Sequence, residues 1–216
     1  MHWVDRGPEP DALQNIRERN TARWVNYYRD NQGTKPSDTN WRTFHKQLFE
    51  VFFGICGYCE EEDKGEVDHF RSKSRFPESV YEWSNWIFSC HTCNSLKREK
   101  WPSSGYVDPC AGSQSERPEN YFQFDTTTGE MIPKDGLSVA RCNKVWKMID
   151  DFHLNEYFHL KVRKKWLEVV RLILSESLAG NEQIHKFCTF VSSRENRLSS
   201  ITRIWLTENK YSFDDQ

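Results

Sequence analysis

Two closely spaced pairs of cysteines constrain this chain more than any other feature. Thirty residues separate the pairs, which are Cys56-Gly57-Tyr58-Cys59 and Cys90-His91-Thr92-Cys93. A two-residue gap lets one tight turn direct both thiolates of a pair at the same ion, and four thiolates make a closed tetrahedral zinc site. The alternatives are four buried free thiols or a single redox pair. The spacing favours a structural Zn²⁺ bound by Cys56, Cys59, Cys90 and Cys93, which would stabilise a segment too small to bury its own core.

The rest of the composition narrows the class of protein. The chain of 216 residues has seven cysteines and no export signal at its start, so we expect reduced, metal-binding thiols in a cytoplasmic protein. No apolar run is long enough to cross a bilayer. A formal net charge of −2 excludes binding of nucleic acid by bulk positive charge but permits local basic patches. Aromatic residues make up 14% of the chain, which indicates a folded core rich in rings.

The pattern of apolar residues divides the chain into three segments. Residues 1–54 are predicted to be an N-terminal helical segment, because apolar side chains recur there at helical spacing. Residues 55–110 lose that period and form the zinc module, with short β-like runs at 65–70 and 86–89. Residues 111–216 begin with a β-hairpin and continue as a C-terminal helical region. The predicted fold class is therefore α+β, a mostly helical chain that carries one small zinc module.

Two details of the C-terminal region are predicted as well. A break in the helical pattern follows Phe152, and Asn155 is placed to cap the next helix. The apolar stripe of that helix extends to Leu178.

The segment between the cysteine pairs carries residues with catalytic chemistry. Asp68 and His69 place a carboxylate and an imidazole side by side in the first β-like run. Asn85 precedes the second run, and Asn94 directly follows the last cysteine. An isolated Asp-His pair is most simply a core histidine that is hydrogen-bonded to its neighbour. Its position between two zinc-type pairs makes it a candidate active site.

In this order the motif resembles that of the HNH endonucleases, which implies a ββα-metal fold and hydrolysis of nucleic acid. Residues 6–10, 69–74 and 107–109 are similar to the HNH subunits of Septu antiphage systems and to retron-associated relatives. This narrower resemblance implies an effector nuclease that works with a separate ATPase subunit. The chain itself contains no G-x-x-x-x-G-K phosphate-binding loop.

Hydrolysis of a phosphodiester needs a base that activates water and a positive charge near the leaving oxygen. A neutral imidazole suits the first task, so His69 is the candidate base. Asp68 and Asn94 are hard oxygen ligands suited to a catalytic Mg²⁺ or Mn²⁺. Adjacent strand residues point to opposite faces, which would place base and metal on the two sides of the phosphate. The assignment requires that His69 be within reach of solvent.

Three further residues complete the predicted site. Asn85 corresponds to the middle Asn of the family motif and is expected to brace the loop that carries His69. Lys97 and Arg98 follow Asn94 on the same face of a predicted helix and are expected to bind the phosphate backbone. Ordinary solvated helix residues are the alternative for both of these cations.

Two other functions fit the same residues. The motif contacts only the phosphodiester, so RNA such as tRNA is an alternative to DNA, which is the preferred substrate. A zinc-stabilised adaptor that binds nucleic acid or protein without catalysis would need the cysteines but not His69. The complete set of Asp68, His69 and Asn94 favours the enzyme, because a scaffold has no need of it.

Overall fold

The computed structural model describes residues 1–175 and 180–214. The α-helices in these ranges are α1 (Asp11–Tyr28), α2 (His45–Val51), α3 (His91–Lys97), α4 (Val139–Asp151), α5 (Tyr157–Ser175), α6 (Asn181–Ser192) and α7 (Ser199–Glu208). The strands are β1 (Glu66–His69), β2 (Trp86–Ser89), β3 (Phe122–Phe124) and β4 (Met131–Pro133). The predicted α+β class is confirmed. Leu178 lies outside the described residues. None of the described helices has the length and apolarity needed to span a membrane.

The strands β1 and β2 and the helix α3 follow one another and form a ββα unit. The two strands pair antiparallel, with Glu66 opposite Ser89 and His69 opposite Trp86. Every residue of β2 is buried, as its unbroken apolar sequence suggests. The ring of Phe44 lies 5.6 Å from that of Trp86, so the N-terminal segment covers this strand.

The second helix predicted in the N-terminal segment has two parts. A 3₁₀ helix over Asn40–Phe44 leads directly into α2. Residues three apart lie on the same side of a 3₁₀ helix, so Trp41 and Phe44 are both buried against the ββα unit. Trp41 thereby becomes a neighbour of His69, with their ring centroids 4.8 Å apart.

The predicted hairpin is also present, but Asn155 has a different role from the one expected. Strands β3 and β4 pair antiparallel. The side-chain amide of Asn155 donates to the carbonyl of Met131 and accepts from its N–H, both at 2.8 Å. Helix α5 begins at Tyr157, so Asn155 lies too early in the chain to be its N-cap. The cap prediction is wrong because the hairpin binds that amide.

The C-terminal region packs directly on the zinc module. The rings of Tyr58 and Phe152 have centroids 4.4 Å apart. Arg197 forms an ion pair of 2.6 Å with Glu61, and the N–H of Leu198 donates to the carbonyl of Glu60. These contacts join the second and third predicted segments, whose boundary at residue 110 stays a prediction.

Candidate active site

The four paired cysteines form one buried cluster. Their Sγ atoms all lie within 4.8 Å of one another, and those of Cys59 and Cys90 are 3.8 Å apart. A tetrahedral ion with Zn–S bonds of about 2.3 Å would place its sulfurs about 3.8 Å apart. None of these cysteines forms a disulfide. The donor set and its spacing therefore fit a structural zinc ion.

Gly57 is needed in the first pair for a packing reason. A Cβ atom at this position would lie 2.8 Å from Cγ2 of Ile87 and 2.9 Å from the ring of Phe52. The missing side chain lets the turn between Cys56 and Cys59 lie flat on β2. The N–H of Gly57 donates to the carbonyl of Phe88, which fixes the turn on the strand.

His69 ends β1 and is held in one tautomer. Its Nε2 lies 2.9 Å from the carbonyl oxygen of Val80. A carbonyl can only accept, so Nε2 carries the hydrogen and Nδ1 keeps the free lone pair. The ring of Trp41 stands perpendicular to the imidazole and fixes its plane. The strand therefore presents a single, oriented basic nitrogen.

The surroundings of His69 keep it neutral. Burial lowers its pKa well below the usual value of 6.5, and the positive charges of Lys73 and Lys97 lower it further. Only 4% of the residue is exposed, yet it lines a cleft of about 540 Å³. His69 is thus almost fully buried, and its contact with solvent is limited to the part that lines this cleft. An imidazole that is unprotonated at neutral pH can act as a base.

Asp68 points to the opposite face of β1 and is held by two donors. The ammonium of Lys97 lies 3.0 Å from Oδ1, and the hydroxyl of Tyr58 donates to Oδ2 at 2.5 Å. Burial raises the pKa of Tyr58 well above 10.0, and the charge of Asp68 raises it further, so this hydroxyl keeps its proton. Tyr58 lies between the first two cysteines, so the zinc cluster also positions Asp68.

Lys97 does not have the role expected from the sequence. It is fully buried, and its ammonium also donates to the carbonyl of His69 at 2.5 Å. It cannot reach the backbone of a bound nucleic acid, so the predicted phosphate contact is wrong for Lys97. Helix α3 packs on β1, which turns this position inward. Arg98 is exposed and lines the cleft, so the predicted phosphate contact remains open to it.

Asn94 contacts a carboxylate that the sequence analysis missed. Its Nδ2 donates to Glu66, whose other oxygen lies 2.8 Å from Nδ1 of His91. The hydrogen bond from His91 lowers the pKa of Glu66, and that from Asn94 contributes as well. Glu66 lies two residues before Asp68, so strand alternation places both on the same face. The sequence analysis could have found Glu66 from this alternation of side chains along β1.

The cleft therefore contains a set of hard oxygen donors. Glu66, Asp68 and Asn94 all line it, and the two carboxylate oxygens of Asp68 already accept from Lys97 and Tyr58. Carboxylate and amide oxygens are the ligands that Mg²⁺ and Mn²⁺ prefer, so the donor chemistry fits a divalent ion. The pairing of Asp68 with Asn94 on one ion stays a prediction, since the hydrogen bonds of Asn94 go to Glu66.

Asn85 closes the loop that follows His69. Its Oδ1 accepts from the N–H of Arg71 at 2.7 Å, and its Nδ2 donates to the carbonyls of Arg71 and Ser79. Its own carbonyl accepts from the N–H of Phe70. These four bonds join the two ends of the loop from residue 71 to residue 79. They fit the bracing role expected of it.

Other residues that line the cleft lie outside the motif, so the spacing of the motif could not predict them. The 3₁₀ helix and α2 supply one wall, and the loop after β1 supplies the other. These residues are Trp41, Arg42, His45, Ser72, Lys73 and Glu99. Most of the added charges are positive, which suits an anionic substrate.

Comparison with known proteins agrees with this geometry. Residues 56–100, which span both cysteine pairs, both strands of the unit and α3, match the HNH endonuclease family. The ββα unit and its cysteine pairs thus form a segment similar to an HNH endonuclease domain.

The chain is also similar to the Septu protein PtuB of Bacillus thuringiensis. The two are 26% identical over 135 residues, which cover 59% of this chain and 49% of that protein. The chain spans about half the length of this curated relative.

Proposed function

We propose that this chain is a metal-dependent endonuclease that hydrolyses phosphodiester bonds in DNA. The observation that carries the proposal is the state of His69. It is a neutral imidazole with its proton fixed on Nε2 by Val80, and it lines a cleft that also contains hard oxygen donors. A nucleic-acid adaptor has no need for an oriented base in such a position.

In the proposed reaction, Nδ1 of His69 takes a proton from a water molecule. The water oxygen attacks phosphorus, and the bond from phosphorus to the leaving sugar oxygen breaks. That oxygen takes a proton from a solvent water, and the resulting hydroxide is neutralised when Nδ1 of His69 gives its proton back to solvent. A bound phosphodiester also brings negative charge beside the ring, which raises its pKa toward the working pH. The hydrogen bond to Val80 keeps the ring oriented while it gains and loses the proton.

Two kinds of ion are proposed. Glu66, Asp68 and Asn94 would hold Mg²⁺ or Mn²⁺, which supplies positive charge near the leaving oxygen. Zn²⁺ at the four cysteines has no open position and would be purely structural.

The biological setting is proposed from similarity to PtuB. It would be an antiphage complex in the cytoplasm, in which this chain is the effector nuclease. The ATPase would be a separate PtuA-like subunit, since this chain lacks a phosphate-binding loop motif.

Nicking of supercoiled plasmid with Mg²⁺ tests the proposal, with the cognate ATPase added. We expect His69→Ala to lower the rate by about 100-fold or more, because general base catalysis is lost. His185→Ala is the matched control, since this histidine lies on α6 and contacts Ser212. Equal cleavage by His69→Ala and the parent would remove His69 from the mechanism.

The same samples separate the alternatives. Cleavage of tRNA but not of plasmid would assign RNA as the substrate. Zinc content of one equivalent with binding to DNA, but without cleavage of either polymer, would favour the adaptor.

A further inference from the structure

Two residues of the loop after β1 lie in the cleft with polar groups that lack partners. Lys73 has its ammonium 4.5 Å from the ring centroid of Trp41 and 5.7 Å from that of Trp24. Within residues 1–175 and 180–214 this ammonium makes no hydrogen bond or ion pair. The charges of Glu99 and Asp68 attract it, but these carboxylates are hydrogen-bonded to Ser74 and Lys97 instead. Ser72 is 2% exposed, and its Oγ has no hydrogen-bond partner in the same ranges.

Both groups lower the stability of the folded protein when no ligand is bound. A buried hydroxyl without a partner loses its hydration and gains nothing in return. A partly buried ammonium over indole faces gains a cation–π attraction, but its N–H donors stay unused. Burial accordingly lowers the pKa of Lys73. Such groups require an explanation, and a ligand that supplies the missing acceptor is one.

The ligand must be an anion with oxygen acceptors. Ser72 and Lys73 line the same cleft as His69, and Arg42 and Arg98 add positive charge to it. Glu99 is the nearby acid on this side, but its carboxylate accepts from the hydroxyl of Ser74 at 2.5 Å. The donors of Ser72 and Lys73 are thus left for a substrate.

We propose that Ser72 and Lys73 form a subsite for the phosphate of the nucleic acid that faces His69. Lys73 supplies the positive charge, and Trp41 fixes the position of its ammonium. The Oγ of Ser72 is buried in the cleft wall, so the bound phosphate must displace that wall before the hydroxyl donates to a non-bridging oxygen. This subsite rests on the proposed nuclease function, because it orients the phosphate for attack by water.

The test uses the full chain with its zinc and four variants. Lys73→Gln removes the charge, Lys73→Arg keeps it, and Ser72→Ala removes the hydroxyl. Lys46→Gln is the matched control, because Lys46 is 88% exposed on α2 and does not line the cleft. Binding of a fluorescent 20-base-pair DNA duplex is measured by anisotropy over a salt series without added Mg²⁺. Plasmid cleavage and thermal unfolding are measured on the same samples.

The expected results differ for each variant. Lys73→Gln should reduce the slope of log K against log salt by about 1, as expected for the loss of one phosphate contact. Lys73→Arg and Lys46→Gln should keep the parental slope. Ser72→Ala should lower kcat/KM by about tenfold, while its Tm stays equal to that of the parent or rises. A merely structural hydroxyl would not give loss of activity together with unchanged or higher stability.

The outcomes separate this proposal from the nuclease function. If His69→Ala abolishes cleavage while Lys73→Gln and Ser72→Ala cleave as the parent does, the subsite is overturned and the nuclease stands. If the parent binds the duplex without cleaving and Lys73→Gln lowers the slope, the subsite is supported and the nuclease proposal falls. If Lys73→Gln fails to fold, Ser72→Ala decides, and full activity in that variant overturns the subsite.

Discussion

Substitution of Lys97 tests the internal structure of the site most directly. Its side chain and that of Asp68 are 0% and 4% exposed, with 3.0 Å between Nζ and Oδ1. Lys97→Met keeps the length of the aliphatic stem but removes the ammonium. Asp68 would then keep only the hydroxyl of Tyr58, and the carbonyl of His69 would lose its donor. Breaking a buried ion pair by removing one partner costs about 3–5 kcal/mol, a large part of the stability of a domain.

Urea unfolding at neutral pH with zinc present measures this cost, which corresponds to a fall in the midpoint of about 1–2 M. A cycle with Asp68→Asn and the double variant should give a coupling energy of about 2–3 kcal/mol, because the double variant leaves no unpaired charge. Arg98→Met is the control, since the exposed neighbour should change stability by less than about 0.5 kcal/mol. The reasoning is refuted if Lys97→Met unfolds as the parent does and instead weakens DNA binding.

Three further predictions follow from the same contacts. Cys93→Ser, or chelation of zinc from the parent, should lower the Tm and remove the zinc seen by native mass spectrometry; a chelated protein with the parental Tm would contradict the structural role. His69 acts as a base only when it is neutral, and its pKa is lowered from 6.5, so kcat/KM should decrease on acidification only below pH 6.5. A decrease of kcat/KM that begins above pH 6.5 as the pH is lowered would exclude this base. Asn85→Ala removes three side-chain hydrogen bonds to Arg71 and Ser79 and should cost about 2–4 kcal/mol in urea unfolding. A cost below about 0.5 kcal/mol would show that this loop does not need the amide.

The spacing of residues predicted the elements that build the site because it acts locally. Two cysteine pairs at this spacing predict that all four thiols meet at one place, and the structure brings them together. Strand alternation predicted that Asp68 and His69 diverge, and they do, toward Lys97 and Val80 respectively. Such signals need only the period of the backbone, and no knowledge of how elements pack.

The partners of each side chain depend on packing, which the sequence does not state. Helical spacing correctly placed Lys97 on the same face of α3 as Asn94. The sequence does not show that α3 packs on β1, and this packing is what buries Lys97. Glu66 is the converse case. A partly exposed acid at the start of a strand is most simply a solvated charge, and its contact with Asn94 arises only when α3 docks.

Electrostatic coupling explains why the zinc module does not stand apart from the helices that follow it. Four thiolates around a bound Zn²⁺ would leave a net charge of about −2 in a buried place, and burying an uncompensated charge is costly. Arg163 of α5 is 1% exposed and donates to the carbonyl of Gly129. Burial lowers its pKa, while the negative charges of Cys59, Glu60, Glu61 and Cys93 oppose that shift. Part of the positive charge that would balance a zinc ion and its four thiolates therefore comes from beyond residue 110, so the second and third predicted segments are electrostatically linked.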